Sequence, residues 1–157
     1  MNPKERSLLL HLVDEGFDHA AWHGPTLRGS IRGVSAAEAA RRPGAGRHSI
    51  WEIALHAAYW KYVARRRLVG GKRGAFPRMG SNWLAVPSPA TPAAWKRDVE
   101  LLAACHRSLR EAVAGLRTLT PRRRRLIAGI AMHDVYHAGQ IQLAKRILRS
   151  RRRARLH

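Results

Sequence analysis

Acidic residues and cysteine are both scarce in this sequence. The 157 residues include 10 Asp and Glu against 30 Lys and Arg, which gives a formal net charge of +20. Cys105 is the only cysteine, so an internal disulfide is excluded and a reducing compartment is favoured. No apolar run approaches the roughly 20 residues of a membrane-spanning helix, and the N-terminal run is too short for a signal peptide. We therefore predict a cytoplasmic protein without a membrane partner.

Lysine is also rare, since only five of the basic residues are lysine. The arginines instead form three clusters, at residues 65–67, 122–125 and 149–155. Clustered arginines attract phosphate without sequence preference, which makes nucleic acid one candidate partner. A solvated basic face or tail explains the same pattern, and no known nucleic-acid-binding motif accompanies the clusters. A nucleic-acid contact is therefore the less favoured interpretation.

Apolar periodicity predicts four amphipathic helices and no strand. We place them at residues 2–22, 49–69, 92–115 and 121–149, with a short extra helix that starts at Ser35 and ends at Pro43. The apolar side of the first helix is predicted to carry Leu8, Leu9, Leu12, Val13, Gly16 and Ala20. The sequence thus predicts an all-α four-helix bundle with long crossover connections, formed by residues 1–149 and followed by a basic tail at 150–157.

Two histidines stand four residues apart in the last predicted helix. His133 and His137 lie on an apolar stripe, where side chains at this spacing are roughly 5–6 Å apart at Cβ and can converge on one ion. His56 lies on the apolar face of the second predicted helix. Three histidines on two facing helices would leave a coordination position open for water or substrate, as in catalytic zinc sites. The competing interpretation is that each imidazole is a core residue bonded to a backbone carbonyl.

Three further residues are candidates for a pocket beside these histidines. Trp60 and Gln140 share their helical faces with His56 and His137, although either is also explained as ordinary bundle packing. Asp134 holds the position of the general base in the zinc-protease pattern HExxH, but aspartate is shorter and no strand is available to align a peptide. We therefore interpret Asp134 as a residue that supports a ligand or faces solvent. His106 is either a fourth ligand or a core histidine.

Residues 49–56 (SIWEIALH) and 133–140 (HDVYHAGQ) resemble the DinB/YfiT-like superfamily, whose members are four-helix-bundle metalloenzymes with three histidines. Residues 22–25 (WHGP) and 80–83 (GSNW) fit the same pattern with lower specificity. The resemblance implies that His56, His133 and His137 bind a divalent metal, with zinc and nickel among those reported. It also implies a homodimer and, from characterised relatives, chemistry that uses a low-molecular-weight thiol. The basic tail is not a family feature.

Two functions from different classes follow from these patterns. The first is a metal-dependent enzyme, a thiol-dependent S-transferase or a hydrolase, that acts on a small electrophilic substrate. The second is a basic nucleic-acid-binding or damage-responsive bundle with structural histidines and no turnover. The segment between the second and third helices, residues 70–92, is rich in Gly and Pro and long enough to be functional or a lid.

Overall fold

The chain is an all-α bundle in a computed structural model that describes residues 2–71, 73–74 and 76–154. No strand occurs in these ranges. The helices in chain order are α1 (Pro3–Phe17), α2 (Leu27–Ile31), α3 (Ala36–Ala40), α4 (Ile50–Val69), α5 (Pro92–Ala114) and α6 (Pro121–Arg153). The long helix α4 packs against α5 and α6, and α1 packs against α6 and α5. The predicted helical bundle is confirmed, and α2 and α3 belong to the connection that crosses from α1 to α4.

The long helices begin where the predicted caps place them. Ser49 and Glu52 form a capping box at the start of α4, in which each side chain accepts from the other residue's backbone N–H. The Thr91 hydroxyl accepts from the backbone N–H of Ala94 at the start of α5. The last helix extends to Arg153, past its predicted end, so part of the predicted tail is helical. Residues 155–157 of that tail lie outside the described residues.

The first helix differs from its prediction in length and in the face it buries. It ends at Phe17, after which the backbone N–H of Asp18 donates to the Asp14 carbonyl. Gly16 explains the orientation, because a Cβ atom on it would lie 2.9 Å from the Ala131 carbonyl oxygen of α6. The face that contains Gly16 therefore packs closely on α6. The predicted inward residues Leu8, Leu12 and Ala20 are exposed, whereas the buried set is Leu9, Val13, Asp14, Gly16 and Phe17.

The connection between α1 and α4 is partly helical and is hydrogen-bonded to the bundle. Helix α2 was not predicted, since five residues that include Gly29 are too few to show a periodic pattern. Helix α3 was predicted, but it ends at Ala40 rather than at Pro43. The indole of Trp95 donates to the Val34 carbonyl at 2.9 Å, which ties the connection to α5. None of the described helices is long and apolar enough to cross a membrane.

Candidate metal centre

Three histidines from α4 and α6 meet inside the bundle. The Nε2 atom of His133 lies 3.1 Å from Nε2 of His56 and 3.0 Å from Nε2 of His137. One nitrogen from each ring can be chosen so that all three lie within 4.8 Å of one another. His56 and His137 are buried and His133 is half-buried. The spacing on α6 and the apolar face of α4 therefore bring together the three side chains that the sequence singles out.

The ring of His56 is oriented by the loop between α4 and α5. Its Nδ1–H donates to the Asn82 backbone carbonyl at 3.1 Å. Trp83 stacks on the same ring with 3.8 Å between ring centroids, and it stacks on His48 at 3.6 Å. The Asn82 side chain accepts from the indole N–H of Trp60 at 2.9 Å. With the proton placed on Nδ1, the His56 Nε2 atom presents a lone pair to the other two rings.

The ring of His137 is oriented within its own helix. Its Nδ1–H donates to the Gln140 Oε1 atom at 2.7 Å, and the Gln140 amide donates to the Tyr136 hydroxyl at 2.9 Å. The Nε2 atom of His137 is therefore also unprotonated in the neutral ring. Hydrogen bonds of this kind, to the ring nitrogen opposite the ligating one, are the usual supports of metal-binding histidines.

The hydrogen bonding of the two His133 ring nitrogens indicates whether these residues fit a metal ion. Its Nε2 atom faces two lone pairs and can donate one proton to only one of them, while its Nδ1 atom is buried with no hydrogen-bond partner. A bound cation would resolve the mismatch at Nε2, because all three Nε2 lone pairs could then be donated to the ion while each neutral ring keeps its proton on Nδ1. Three imidazole nitrogens are a donor set that suits zinc, nickel, copper or iron. The residues present therefore fit a divalent transition metal.

All three imidazoles are held in the neutral form that a metal requires. Burial lowers the pKa of His133 to about 3, and the neighbouring His137, His56 and Lys61 contribute in the same direction. Burial lowers the pKa of His137 to about 4, although the hydrogen bond to Gln140 acts against it. The pKa of His56 is also lowered, chiefly by burial. No proton has to leave these rings at neutral pH before an ion binds.

The metal-free protein is expected to lose stability as the pH falls from about 6.5 towards 4. Histidines whose folded pKa lies below the unfolded value of about 6.5 bind protons first in the unfolded chain, and each costs up to about 1.4 kcal/mol per pH unit. His133, His137 and His106 contribute in this direction. Asp134 has the opposite effect, because its raised pKa of about 6 makes the folded state bind a proton first. It is one group against three histidines, so the net effect of acid is a loss of stability. Urea unfolding between pH 7.5 and 5 measures the slope.

The matched control for the pH slope is His11, which is exposed on α1 and paired with Glu15. We expect His133→Ala to flatten the pH dependence of the unfolding free energy and His11→Ala to leave it unchanged. A pH dependence that is the same in wild type and in His133→Ala would contradict the lowered pKa of His133.

Gln140 is expected to strengthen metal binding through His137. Gln140→Leu removes the acceptor of the Nδ1–H group, and changes to such supporting partners typically weaken metal binding by about 10–100-fold. Zinc affinity, measured by competition with a chromophoric chelator, is the readout. Gln142→Leu is the control, because this half-buried glutamine lies on the same helix and lines neither cleft beside the three histidines. Equal zinc affinities in the two variants would show that the hydrogen bond to Gln140 does not matter.

The remaining predicted residues fall into two groups. Trp60 and Gln140 lie beside the three histidines, where the ring of Trp60 is edge-on to His56 with 6.3 Å between centroids. Asp134 is only 1% exposed, so of its two predicted positions the solvent-facing one is wrong. Its carboxylate pairs with the ammonium of Lys61, which is itself fully buried. The roles of Trp60, Gln140 and Asp134 at a metal site stay predictions.

His106 and Cys105 do not join the candidate site. The Nδ1 atom of His106 accepts from Lys61 at 3.4 Å, and its ring stacks on Phe17 with 3.9 Å between centroids. The only metal-compatible cluster within the described residues is the histidine triad, so His106 is a core histidine rather than a fourth ligand. Burial raises the pKa of the Cys105 thiol to about 11, which leaves it protonated at neutral pH.

Three contributors to the site were not singled out from the sequence. Asn82 and Trp83 lie in the long loop that was predicted to be functional and in the segment GSNW, so a signal for them existed. No sequence signal pointed to Lys61, because a lysine on a mostly apolar helix is normally assigned to the surface. Its burial depends on Asp134 and His106, which come from α6 and α5.

Comparison with known protein families matches residues 8–141 to the DinB superfamily. The matched span starts within α1 and ends in α6 after Gln140, so it contains the bundle's four long helices, at least in part, and all three histidines. Comparisons with curated proteins and with solved structures give no match. Because the match covers most of the sequence and the bundle carries the three histidines that the resemblance implied, the chain belongs to the DinB superfamily.

Proposed function

We propose that this protein is an enzyme that uses a divalent metal, zinc or nickel, held by His56, His133 and His137. The observation that carries the proposal is the convergence of three histidine Nε2 atoms. In two of these rings, His56 and His137, the Nδ1–H group donates to Asn82 and to Gln140, which leaves Nε2 unprotonated. Three nitrogen ligands leave a coordination position open, as in catalytic zinc sites. When bound, such an ion would supply Lewis acidity that makes a water or a low-molecular-weight thiol nucleophilic at neutral pH.

The surroundings of the triad support a reaction on a small molecule. Two clefts adjoin the site, one of about 190 Å³ lined by Trp60 and His133, and one of about 240 Å³ lined by His48 and Gln140. Both are too small for a folded partner. Trp83 covers one face of the His56 ring and shields it from solvent. We therefore propose transfer to, or hydrolysis of, a small electrophilic substrate, with thiol S-transfer favoured only by the family resemblance.

Metal content tests this proposal. Protein purified without an affinity tag is analysed by elemental mass spectrometry as wild type, as His56→Ala and as His137→Ala. We expect near one equivalent of metal in wild type and little in either variant, because two imidazoles bind far more weakly than three. His19→Ala is the control, since His19 is exposed and pairs with Asp18. Failure of zinc, nickel, manganese and iron to bind wild type would refute the enzyme proposal.

A second function is favoured by the charge at the start of α6. Residues 122–125 are all arginine, and the first turn of this helix carries no acidic residue. Positive charge at a helix N-terminus opposes the helix dipole, so an anionic partner would relieve it. Nucleic acid is such a partner, and the net charge of +20 supports it. Salt-dependent retention on DNA that survives His133→Ala and occurs without bound metal would favour this alternative.

A further inference from the structure

We propose that the 190 Å³ cleft between α4 and α6 binds small amphipathic anions, with the apolar part on the cleft floor and the anionic group on Arg67 and Arg125. This proposal rests on the proposed function and names the substrate class of the same site. His133 lines the cleft, so a molecule held there lies against the histidine triad.

The floor of the cleft is apolar. Val63, Ala64 and Ile130 line it, and they are 5%, 2% and 6% exposed. Trp60 adds an aromatic surface on the α4 side. A concave apolar surface with few polar groups favours the hydrocarbon or aromatic part of a ligand, because that part leaves water when it binds.

The charge at the cleft is of one sign. Arg67 and Arg125 both line it and are exposed, and no carboxylate lines it. Arg67 lies over the Trp60 ring, 5.9 Å from its centroid, and neither arginine has an ion pair with a described carboxylate. A guanidinium stays protonated and can bind a carboxylate, phosphate or sulfonate through two parallel hydrogen bonds. The charge therefore selects an anion over a neutral or cationic ligand.

Gly129 keeps the cleft open one helical turn before His133. A Cβ atom built on this glycine would contact nothing within 4 Å, although the residue lines the cleft. A larger side chain there can enter the cleft without disturbing the bundle. Gly139, also exposed on α6, equally has no neighbour within 4 Å and does not line the cleft. The two glycines thus provide a blocking variant and its matched control.

Calorimetric titration with 4-phenylbutyrate and with 4-phenylbutanol tests the charge selection. The two probes share an apolar body and differ in the anionic group. We expect wild type to bind the carboxylate roughly tenfold more tightly than the alcohol, as two charge-assisted contacts would give. Arg67→Gln with Arg125→Gln should remove that preference. The control pair Arg122→Gln with Arg146→Gln, both exposed and outside the cleft, should keep it.

The blocking variants test the location. Gly129→Leu should abolish binding of both probes, and Gly139→Leu should bind them as wild type does. Binding that is unchanged in Gly129→Leu, or a preference for the carboxylate that survives loss of Arg67 and Arg125, would overturn the proposal. Carboxylate binding that occurs only in the zinc-loaded protein would also overturn it, because the metal rather than the arginines would then hold the anion.

Zinc content of the same samples separates the two proposals. Wild type that holds zinc but binds neither probe contradicts the cleft proposal and leaves the metal site standing. Wild type that binds 4-phenylbutyrate in the predicted way but holds no metal supports the cleft as an anion site and contradicts the enzyme proposal.

Discussion

Lys61→Met is expected to lower the free energy of unfolding by about 3–5 kcal/mol, the usual cost of removing one partner of a buried ion pair. Lys61 is fully buried, and its ammonium pairs with Asp134 and donates to His106. Without it, the Asp134 carboxylate has no compensating charge, and its Oδ1 atom already lacks a hydrogen bond. Urea unfolding at pH 7.5 measures the loss.

The deficit in Lys61→Met is also expected to shrink as the pH falls from 8 to 5. Burial raises the pKa of Asp134 to about 6 even with Lys61 present, and loss of Lys61 raises it further. An acid with a raised folded pKa gains protons more readily in the folded state, so acidification restores stability. The double variant Lys61→Met, Asp134→Leu should recover most of the loss, since it leaves no buried charge.

The control for Lys61→Met is Lys96→Met, because Lys96 is exposed and its contact with Glu100 is 3.9 Å. We expect a change within about 0.5 kcal/mol for this surface substitution. If Lys61→Met were as mild as Lys96→Met, or if the double variant were no more stable than the single one, the buried ion pair would not contribute as described.

Zinc is expected to stabilise the wild-type protein strongly and His133→Ala hardly at all. A ligand that binds only the folded state adds about 2.7 kcal/mol at a free concentration 100 times its dissociation constant. His133 provides the nitrogen that lies closest to both other imidazoles, so its removal leaves two ligands and a gap between them. Thermal unfolding with and without buffered zinc measures the difference.

Without metal, wild type and His133→Ala are expected to have similar stabilities. The half-buried His133 ring has one buried nitrogen, Nδ1, without a hydrogen-bond partner, so removing the ring should cost the metal-free protein little. His11→Ala, on an exposed site, serves as the control and should respond to zinc as wild type does. Equal stabilisation of wild type and His133→Ala would mean that zinc binds elsewhere.

The fold was predictable from the sequence where its determinants are local. Helix starts follow from caps such as Ser49 with Glu52 and Thr91 with Pro92, which act within one turn. The orientation of α1 was not predictable in this way. Its buried face depends on the contact between Gly16 and Ala131, which are distant in sequence. Leu8 and Leu12 also have helical spacing, so periodicity alone does not show that they are exposed.

The candidate site was likewise predictable only where its determinants are local. His133 and His137 were recognisable because one helix sets their spacing. His56 was recognisable because it lies on the apolar face of α4. The hydrogen bond from His56 to Asn82 joins α4 to a loop, and the pairing of Lys61 with Asp134 joins α4 to α6. No local pattern encodes contacts between separate elements, so these supports appear only in the folded chain.

X-ray absorption at the zinc edge of the zinc-loaded protein tests the three-imidazole site most directly. Coordination by His56, His133 and His137 predicts three nitrogen neighbours at about 2.0–2.1 Å with imidazole outer-shell scattering, and at least one further light ligand in the open position. The spectrum of His133→Ala should lose one imidazole contribution. A sulfur neighbour at about 2.3 Å, or a fully hydrated ion without imidazole scattering, would contradict a metal centre built from these histidines.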